Sequence, residues 1–388
     1  MDSESQHYNK KLISFPANTL PDRLNPMLRL NAICPYYTMF PIDFPFNALS
    51  DAKPGDWVLD PFCGRGTTNY AARLKKIPSV GIDSNPVATA IASAKFVKVK
   101  PEKIVKLCQN LLNEDGEPDE IPQETFWGYC YHPDTLAQIC KLREKLLTDC
   151  SSDEKIALRA LLLGILHGPV RKGLPSYLSN QMPRTYATKP NSAINFWKNK
   201  AMSPANIDVL DVVKRKAHFV FSHLPPKGKG RILQSDSRDP LKKIARTEFK
   251  WVVTSPPYYG MNTYTQDQWL RKWFVGGESV VNYNQHSQLA HGSELEFTNA
   301  LSQVWKNITN VCSDGAHLII RFGSLPSLKS DPALLLEKSL SSTADEWNII
   351  DVNDAGISPR GKRQAEQFNN NYLGNARNEI DLHAIFTG

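Results

Sequence analysis

Residues 57–68 read Trp57-Val58-Leu59-Asp60-Pro61-Phe62-Cys63-Gly64-Arg65-Gly66-Thr67-Thr68, and this stretch decides the fold. Trp57 to Asp60 is a short apolar run closed by an acid, as in a buried strand that ends at a rim. Two glycines then mark a tight turn, and the threonines open a helix expected over about 67–75. Strand, glycine turn and helix N-terminus form the nucleotide-cradling unit of α/β folds. No Lys follows the second Gly, so this is not a Walker loop, and the GxGxxG fingerprint is absent too. Alone, Gly64-Arg65-Gly66 reads equally well as an ordinary turn. Its context favours the cradle, because Ser79-Val80-Gly81-Ile82-Asp83 is a second strand ending in an acid. A carboxylate there stands where ribose hydroxyls are held. Asp83 also reads as the N-cap of a helix expected over Pro86 to Phe96.

The second landmark is Thr254-Ser255-Pro256-Pro257-Tyr258-Tyr259-Gly260, which follows the apolar run Trp251-Val252-Val253. Paired prolines cannot extend a helix or donate to a ladder. They fix a stiff, extended turn with an exposed carbonyl, flanked by the Ser255 hydroxyl and the Tyr258 ring. A planar molecule with an exocyclic amino group suits that clamp: oxygens accept its hydrogens and the ring stacks on its face. Further strands are expected at Arg231–Gln234, Lys250–Thr254, Ala316–Phe322, Trp347–Val352 and Ile380–Phe386. With the first two they make seven, in an α/β fold.

Between the second and third strands the rhythm breaks. Residues 101–230 show helical periodicity at 134–147, 153–167 and 204–221. Residues 168–200 mix Arg171, Lys172, Arg184, Lys189, Lys198 and Lys200 with Tyr177, Tyr186, Phe196 and Trp197. Such a mixture suits phosphate contacts and base stacking, and equally a solvated loop with anchoring aromatics. Pro225 to Gly230 reads as a flexible basic linker. Residues 276–296 read as a mobile loop near the site, and 354–378 as another surface loop. The expected organisation is an N-terminal arm at 1–23, a catalytic domain at 24–100 and 231–388, and a helical insertion at 101–230.

The whole composition agrees with an enlarged α/β domain. The chain has 388 residues, 41% of them hydrophobic, enough for a full core. A net charge of +7 fits a polyanionic partner, though solubility alone accounts for it as well. The seven cysteines form no CxxC pairs and the nine histidines complete no zinc spacing, so no metal site is expected. Residues 2–11, DSESQHYNKK, lack an apolar leader core, and the longest mostly apolar block, 157–166, is too short for a bilayer. The expectation is a soluble cytoplasmic protein with no membrane partner.

Asp60 to Thr68, the Asp-ended strand GIDSNP and TSPPY, in that order, resemble the S-adenosylmethionine-dependent amino methyltransferases of DNA. The resemblance covers about 24–100 and 231–386. It implies a Rossmann-like seven-stranded methyltransferase sheet with a mostly helical insertion. The run SPPYYGMNTYTQDQWLRKWF also looks like a subset of bacterial and phage modification enzymes. The resemblance implies that Asp60, Phe62, Gly64 and Gly66 shape the pocket for the methionine part of the cofactor, with Thr67 and Thr68 at the helix start. Phe40 and Pro41 match the region that closes that pocket. Asp83 would bind the ribose and Asp236 the adenine amino group. Ser255, Pro256, Pro257 and Tyr258 would hold a base flipped out of double-stranded DNA. Arg360 and Arg363 lie in a late loop that reaches the flipped base or phosphates in the family. Arg171, Lys172, Arg184, Tyr186 and Lys189 belong to the insertion read as the recognition region, a role for which 260–299 competes.

Ser before PPY resembles the N4-cytosine enzymes more than most N6-adenine ones. The chemistry needs no covalent enzyme intermediate, so Cys63 reads as a packing residue rather than a nucleophile. A cognate restriction endonuclease is an implied partner. The alternatives are an N6-adenine enzyme, an RNA amino methyltransferase and a non-catalytic nucleic-acid-binding protein on a degenerate fold. Arg321 is expected to pair with a neighbouring carboxylate. Tyr259 stands between a second pocket wall and simple packing.

Overall fold

The computed structural model describes residues 19–36, 40–169, 173–180, 182, 189–260, 265–281, 293–323, 330–343, 346–357 and 378–388. Its centre is a seven-stranded sheet: β1 (Val58–Asp60), β2 (Ser79–Asp83), β3 (Gly230–Gln234), β4 (Phe249–Thr254), β5 (Cys312–Gly323), β6 (Trp347–Ile357) and β7 (Asn378–Phe386). The strand order is β3-β2-β1-β4-β5-β7-β6. Strands β1 to β5 run parallel, and β7 lies antiparallel to both β5 and β6. This is the Rossmann-like α/β sheet, with its order reversing between β1 and β4. Ligands of such sheets bind where the order reverses, outside the carboxyl ends of the strands. The end of β1 is Asp60 and the end of β4 is Thr254, so the two sequence landmarks meet at that crevice.

Alternation along the strands sorts their side chains onto two faces. Leu59 and Val252 join Phe297, Leu301, Trp305, Leu318, Ile320, Phe322 and Leu336 on one face. That face is covered by α11 (Glu294–Thr309) and α12 (Pro332–Leu340). Val58, Trp251 and Val253 turn to the other face, against Phe44, Leu49, Ala72 and Ile77. These come from α1 (Asp43–Ala48), α2 (Thr67–Leu74) and their flanks.

The helix starts are written in local chemistry. Asn85 accepts from the Val87 NH and Pro86 opens α3 (Pro86–Ser93). Asp208 accepts from the Leu210 NH and starts α9 (Val209–Phe221), later than the expected 204 because the cap fixes the first turn. Pro also opens α4 (Pro101–Asn113), α6 (Pro133–Thr148) and α8 (Pro190–Asn199), where its missing NH is harmless. With α5 (Thr125–Cys130) and α7 (Asp153–Ile165) these build the helical insertion between β2 and β3.

The insertion shares its core with the rest of the chain. One apolar cluster joins Leu136, Ile139, Leu142, Leu161 and Val213 of the insertion to Ile91 of α3, Leu30 of the 3-10 turn Pro26–Ala32, and Trp269, Trp273 and Phe274. The last three lie on α10 (Thr265–Phe274), which follows TSPPYYG. Trp127 of α5 packs 4.4 Å from Trp273, and Arg143 Nε donates to the Trp273 carbonyl at 2.9 Å.

Pro225 to Gly230 is anchored rather than a flexible linker. Arg73 donates to the carbonyls of Pro226 at 2.7 Å and Pro225 at 3.0 Å. A Cβ on Gly228 would meet the Phe96 ring at 2.8 Å, so the segment lies close against the residues that follow α3. The loop expected from 354 starts later, because β6 continues to Ile357. No helix among the described residues is long and apolar enough to cross a membrane.

Candidate active site

The glycine loop leaves β1 and enters α2 through two left-handed residues, Gly64 at φ +49° and Gly66 at φ +80°. Gly66 also has no room for a side chain: a Cβ would lie 3.0 Å from Ala92 Cβ and from Lys95 Cγ. Conformation and close approach thus require glycine at this turn. Cys63 is packed in the loop, where a Cβ on Gly81 would come within 2.8 Å of its own Cβ. Burial and the nearby Asp83 and Asp60 charges push the Cys63 thiol well up. A thiol held protonated suits a packing residue.

Asp60 is completely buried at the loop's entrance. Its Oδ1 accepts from the Thr254 hydroxyl at 2.6 Å and from the Phe62 NH at 3.1 Å. Among the described residues no hydrogen bond of good geometry reaches its Oδ2 or the buried Thr68 hydroxyl, although that hydroxyl is close enough to stabilise the charged carboxyl. Burial raises Asp60 to about 6, opposed by the Thr254 and Thr68 hydroxyls and the Phe62 NH. Orphaned buried polar atoms are uncommon, and here they sit beside the glycine cradle at the crevice. A ligand with a cationic donor and a short polar end fits that set. Thr67 is buried as well, its hydroxyl accepting from Arg65 Nε at 3.3 Å.

Asp83 holds the loop from the neighbouring strand. Its Oδ2 accepts from the Gly64 NH at 2.9 Å and its Oδ1 from the Asn85 NH at 2.8 Å. The side-chain cap of α3 is therefore Asn85, not Asp83, because Asn85 is the residue next to Pro86 and already within reach of the Val87 NH. Burial lifts Asp83 to about 6, against the two backbone donors. Asn85 also donates to the Tyr36 hydroxyl at 3.0 Å, and a Cβ on Gly64 would lie 3.8 Å from the Tyr36 ring. Tyr36 thus lines the glycine loop, a placement that its aromatic neighbourhood in the sequence did not single out. The segment leading to it is tied down by Lys95, which donates to the Leu30 carbonyl at 2.8 Å, and by Arg271, which donates to the Pro35 carbonyl at 2.7 Å.

Phe62 is half-buried, edge-on to Trp305 at 6.2 Å. Phe40 packs edge-on to Phe44 at 5.5 Å, and the Pro41 carbonyl accepts from the Phe44 NH at 3.2 Å. Asp236, just beyond β3, is gripped by Arg238: Nε donates to Oδ1 at 3.0 Å and Nη2 to Oδ2 at 2.6 Å. These bonds hold its carboxyl below the usual range. Both oxygens of Asp236 are thus engaged by Arg238.

The double-proline segment continues directly from Thr254. Ser255 and Pro257 are half-buried and Pro256 is buried. The Tyr258 ring is only 8% exposed, edge-on to Phe322 at 5.4 Å, with its hydroxyl donating to Glu379 Oε1 at 3.1 Å. Tyr258 is thus a nearly buried ring held by Phe322 and Glu379. Tyr259 packs on Phe297 at 5.4 Å, which places it in the core cluster. Arg321 pairs with Asp381, Nε to Oδ1 at 2.8 Å and Nη2 to Oδ2 at 2.6 Å.

The basic segment is only partly described: Arg171, Lys172, Arg184, Tyr186, Arg360 and Arg363 lie outside the described residues. Lys189, Lys198 and Lys200 are exposed. Tyr177 and Trp197, read as candidate stacking rings, are buried. Their rings serve the packing of the insertion, with Trp197 5.8 Å from Phe126.

The model of the N6/N4 DNA methylase family matches residues 38–94, the segment from Phe40 through the glycine loop to α3. The type II methyltransferase M.BsoBI of Geobacillus stearothermophilus is 22% identical over 328 residues, 74% of this chain and 59% of that protein. The type II methyltransferase M.MjaII of Methanocaldococcus jannaschii is 38% identical over 111 residues, 26% of this chain and 21% of that protein. The chain thus spans less than two thirds of the length of these curated relatives. Among solved structures, the rRNA methyltransferase aviRa from Streptomyces viridochromogenes aligns over 94% of each chain at 12% identity and a TM-score of 0.34, too remote to inform fold or function. The strand-end acids, the glycine cradle between them and these sequence relationships together make the chain similar to the N6/N4 amino methyltransferases of DNA, whose cofactor is S-adenosylmethionine.

Proposed function

We propose that this protein is a DNA methyltransferase that modifies the exocyclic N4 of cytosine in a flipped-out base, at a specific site in double-stranded DNA. The observation that carries the reading is the bond between Thr254 and Asp60. It joins the residue just before Ser255 to the acid that opens the glycine loop. On this reading, base clamp and cofactor cradle would share one rim.

S-adenosylmethionine supplies a methyl group activated by a positively charged sulfur. Asp60, Thr68 and the Gly64–Gly66 turn would hold its amino-acid end, and Asp83 and Asp236 its nucleoside end, with Phe40 and Pro41 closing over it. The Ser255 hydroxyl and the Pro256 carbonyl would accept the two hydrogens of the base amino group. That pull favours a tetrahedral nitrogen, whose lone pair is otherwise conjugated with the ring. Pro257 keeps the carbonyl fixed and Tyr258 supports the base. Positioning is then the main catalytic device. Phosphate contacts would come from Lys189 and from Arg171, Lys172, Arg184, Tyr186, Arg360 and Arg363.

Ser255 supports cytosine over adenine, for which Asp is the usual residue before PPY. The same reading makes the protein a cytoplasmic modification enzyme with a cognate restriction endonuclease as a partner. Incubation of mixed-sequence DNA and RNA with methyl-labelled cofactor, followed by nucleoside analysis, tests it. The expected product is N4-methylcytosine in DNA. N6-methyladenine overturns the base, label only in RNA overturns the substrate, and no label anywhere overturns the enzyme.

A further inference from the structure

We propose that Glu379 is a positioning residue for catalysis: its carboxylate orients the Tyr258 ring beneath the base. The inference rests on the methyl-transfer reading above and adds to it a residue 121 positions away from the clamp.

The antiparallel course of β7 creates the contact. β5 ends at Gly323 on the catalytic rim, and Glu379, at the start of β7, is its register partner. Glu379 therefore reaches the crevice where a parallel strand would have brought its other end. Phe322, Gly323 and Glu379 together set the place of the ring. Phe322 meets it edge-on at an interplanar angle of 78°. Gly323 lets it approach, since a Cβ there would lie 3.0 Å from Tyr258 Cε2 and 3.2 Å from Glu379 Cγ. Glu379 Oε1 fixes its tip by accepting from the hydroxyl at 3.1 Å.

A packing role does not explain this arrangement. Phe297 and Phe322 already stack in the same cluster, and a phenylalanine at 258 would fill the volume without a polar atom. Instead a hydroxyl and a carboxylate are buried together, Glu379 being 7% exposed. Burying a carboxylate is costly and stabilises a fold little compared with apolar packing. The neighbouring Arg321 offsets part of that penalty. Burial would lower its pKa, but the Asp381 bonds and the charges of Asp381 and Glu379 outweigh this and raise it. The buried pair gives the ring one orientation, and a methyl transfer governed by alignment depends on that orientation.

The test compares wild type with Tyr258→Phe, Glu379→Ala, Glu379→Gln and the double variant Tyr258→Phe/Glu379→Ala. It reads kcat and KM on DNA, cofactor affinity by calorimetry, and Tm. Glu379→Ala and Tyr258→Phe should each lower kcat about 10- to 100-fold, with cofactor affinity within about twofold. The double variant should lose no more than either single one, because both remove the same bond. Glu379→Gln keeps an acceptor and should recover kcat to within about threefold of wild type. Multiplied losses in the double variant, or a kcat near wild type in Tyr258→Phe, overturn the proposal. Should Glu379→Ala fail to fold, the near-isosteric Tyr258→Phe and Glu379→Gln decide alone. A wild-type protein without transferase activity overturns the functional reading before any variant is compared, whereas an active wild type with an indifferent Tyr258→Phe overturns only the role of Glu379.

Discussion

Asp83 Oδ2 accepts a hydrogen bond of 2.9 Å from the Gly64 NH, so the acid that ends β2 holds the loop that leaves β1. The carboxylate shapes the cradle before any ligand arrives. Its other oxygen takes the Asn85 NH and so fixes the start of α3. Bonds to a charged acceptor are worth about 1.5–3 kcal/mol each. Burial of the carboxyl offsets most of that gain, so Asp83→Ala should change stability by no more than about 2 kcal/mol while weakening cofactor binding at least about tenfold. Denaturant unfolding and calorimetry measure the two effects. An Asp83→Ala protein with unchanged cofactor affinity would remove Asp83 from the binding site.

The pH dependence follows from the same acids. Burial raises both Asp60 and Asp83 to about 6. An unfolded Asp titrates near 3.9. Between roughly 4 and 6 the folded state thus binds more protons than the unfolded one. The stability these groups contribute is complete below about 4 and is lost as pH rises through about 6. A cationic cofactor prefers the ionised carboxylates and should bind more weakly below that point. Thermal melts with and without S-adenosylmethionine, from pH 5 to 8, should show a ligand-induced rise in Tm that shrinks below about 6. A shift that is constant across the range would separate these acids from binding.

Gly66→Ala meets two obstacles, a φ of +80° and a Cβ 3.0 Å from Ala92 Cβ and Lys95 Cγ. Left-handed backbone in a non-glycine residue costs about 1–3 kcal/mol. The variant should melt a few degrees lower and bind cofactor poorly, because relief requires the loop to move away from α3. Gly116→Ala is the control for strain alone: it has φ +97° and nothing within 4 Å of the added carbon. Equal cofactor affinity in Gly66→Ala and Gly116→Ala would show that the close packing at α3 does not matter for binding.

The exposed Lys189, Lys198 and Lys200 flank the start and end of α8. Removing one lysine that neutralises a phosphate should flatten the plot of log K against log salt by about 0.9. The triple alanine variant should therefore weaken DNA binding uniformly across sequences, with a slope shallower by as much as about 3. Salt titrations by fluorescence anisotropy test this. An unchanged slope would mean that α8 faces away from the DNA.

The strands and the glycine loop were legible because their signals are local. Val58-Leu59 and Trp251 to Val253 are short apolar runs, each closed by a polar residue, and the two glycines of the loop are only two positions apart. Capping residues also declare themselves locally, yet Asn85 rather than Asp83 holds α3, since two acceptors stood close together and only geometry chose between them. The insertion was harder to read. Its basic and aromatic residues suited stacking in sequence, but Tyr177 and Trp197 are buried. An aromatic ring looks the same in a sequence whether it packs or waits for a base.

The sequence by itself determined the α/β class, the order of the strand-end acids and the place of the double-proline turn after a strand, because strand period, turn residues and helix starts depend on near neighbours. Only the tertiary structure decided what those residues touch. It brought Thr254 onto Asp60 and Glu379 onto Tyr258, and it gave Arg238 to Asp236 and Arg321 to Asp381. Three of these four pairs join segments distant in the chain, and sheet order and strand direction, set by which apolar faces bury together, bring them within reach.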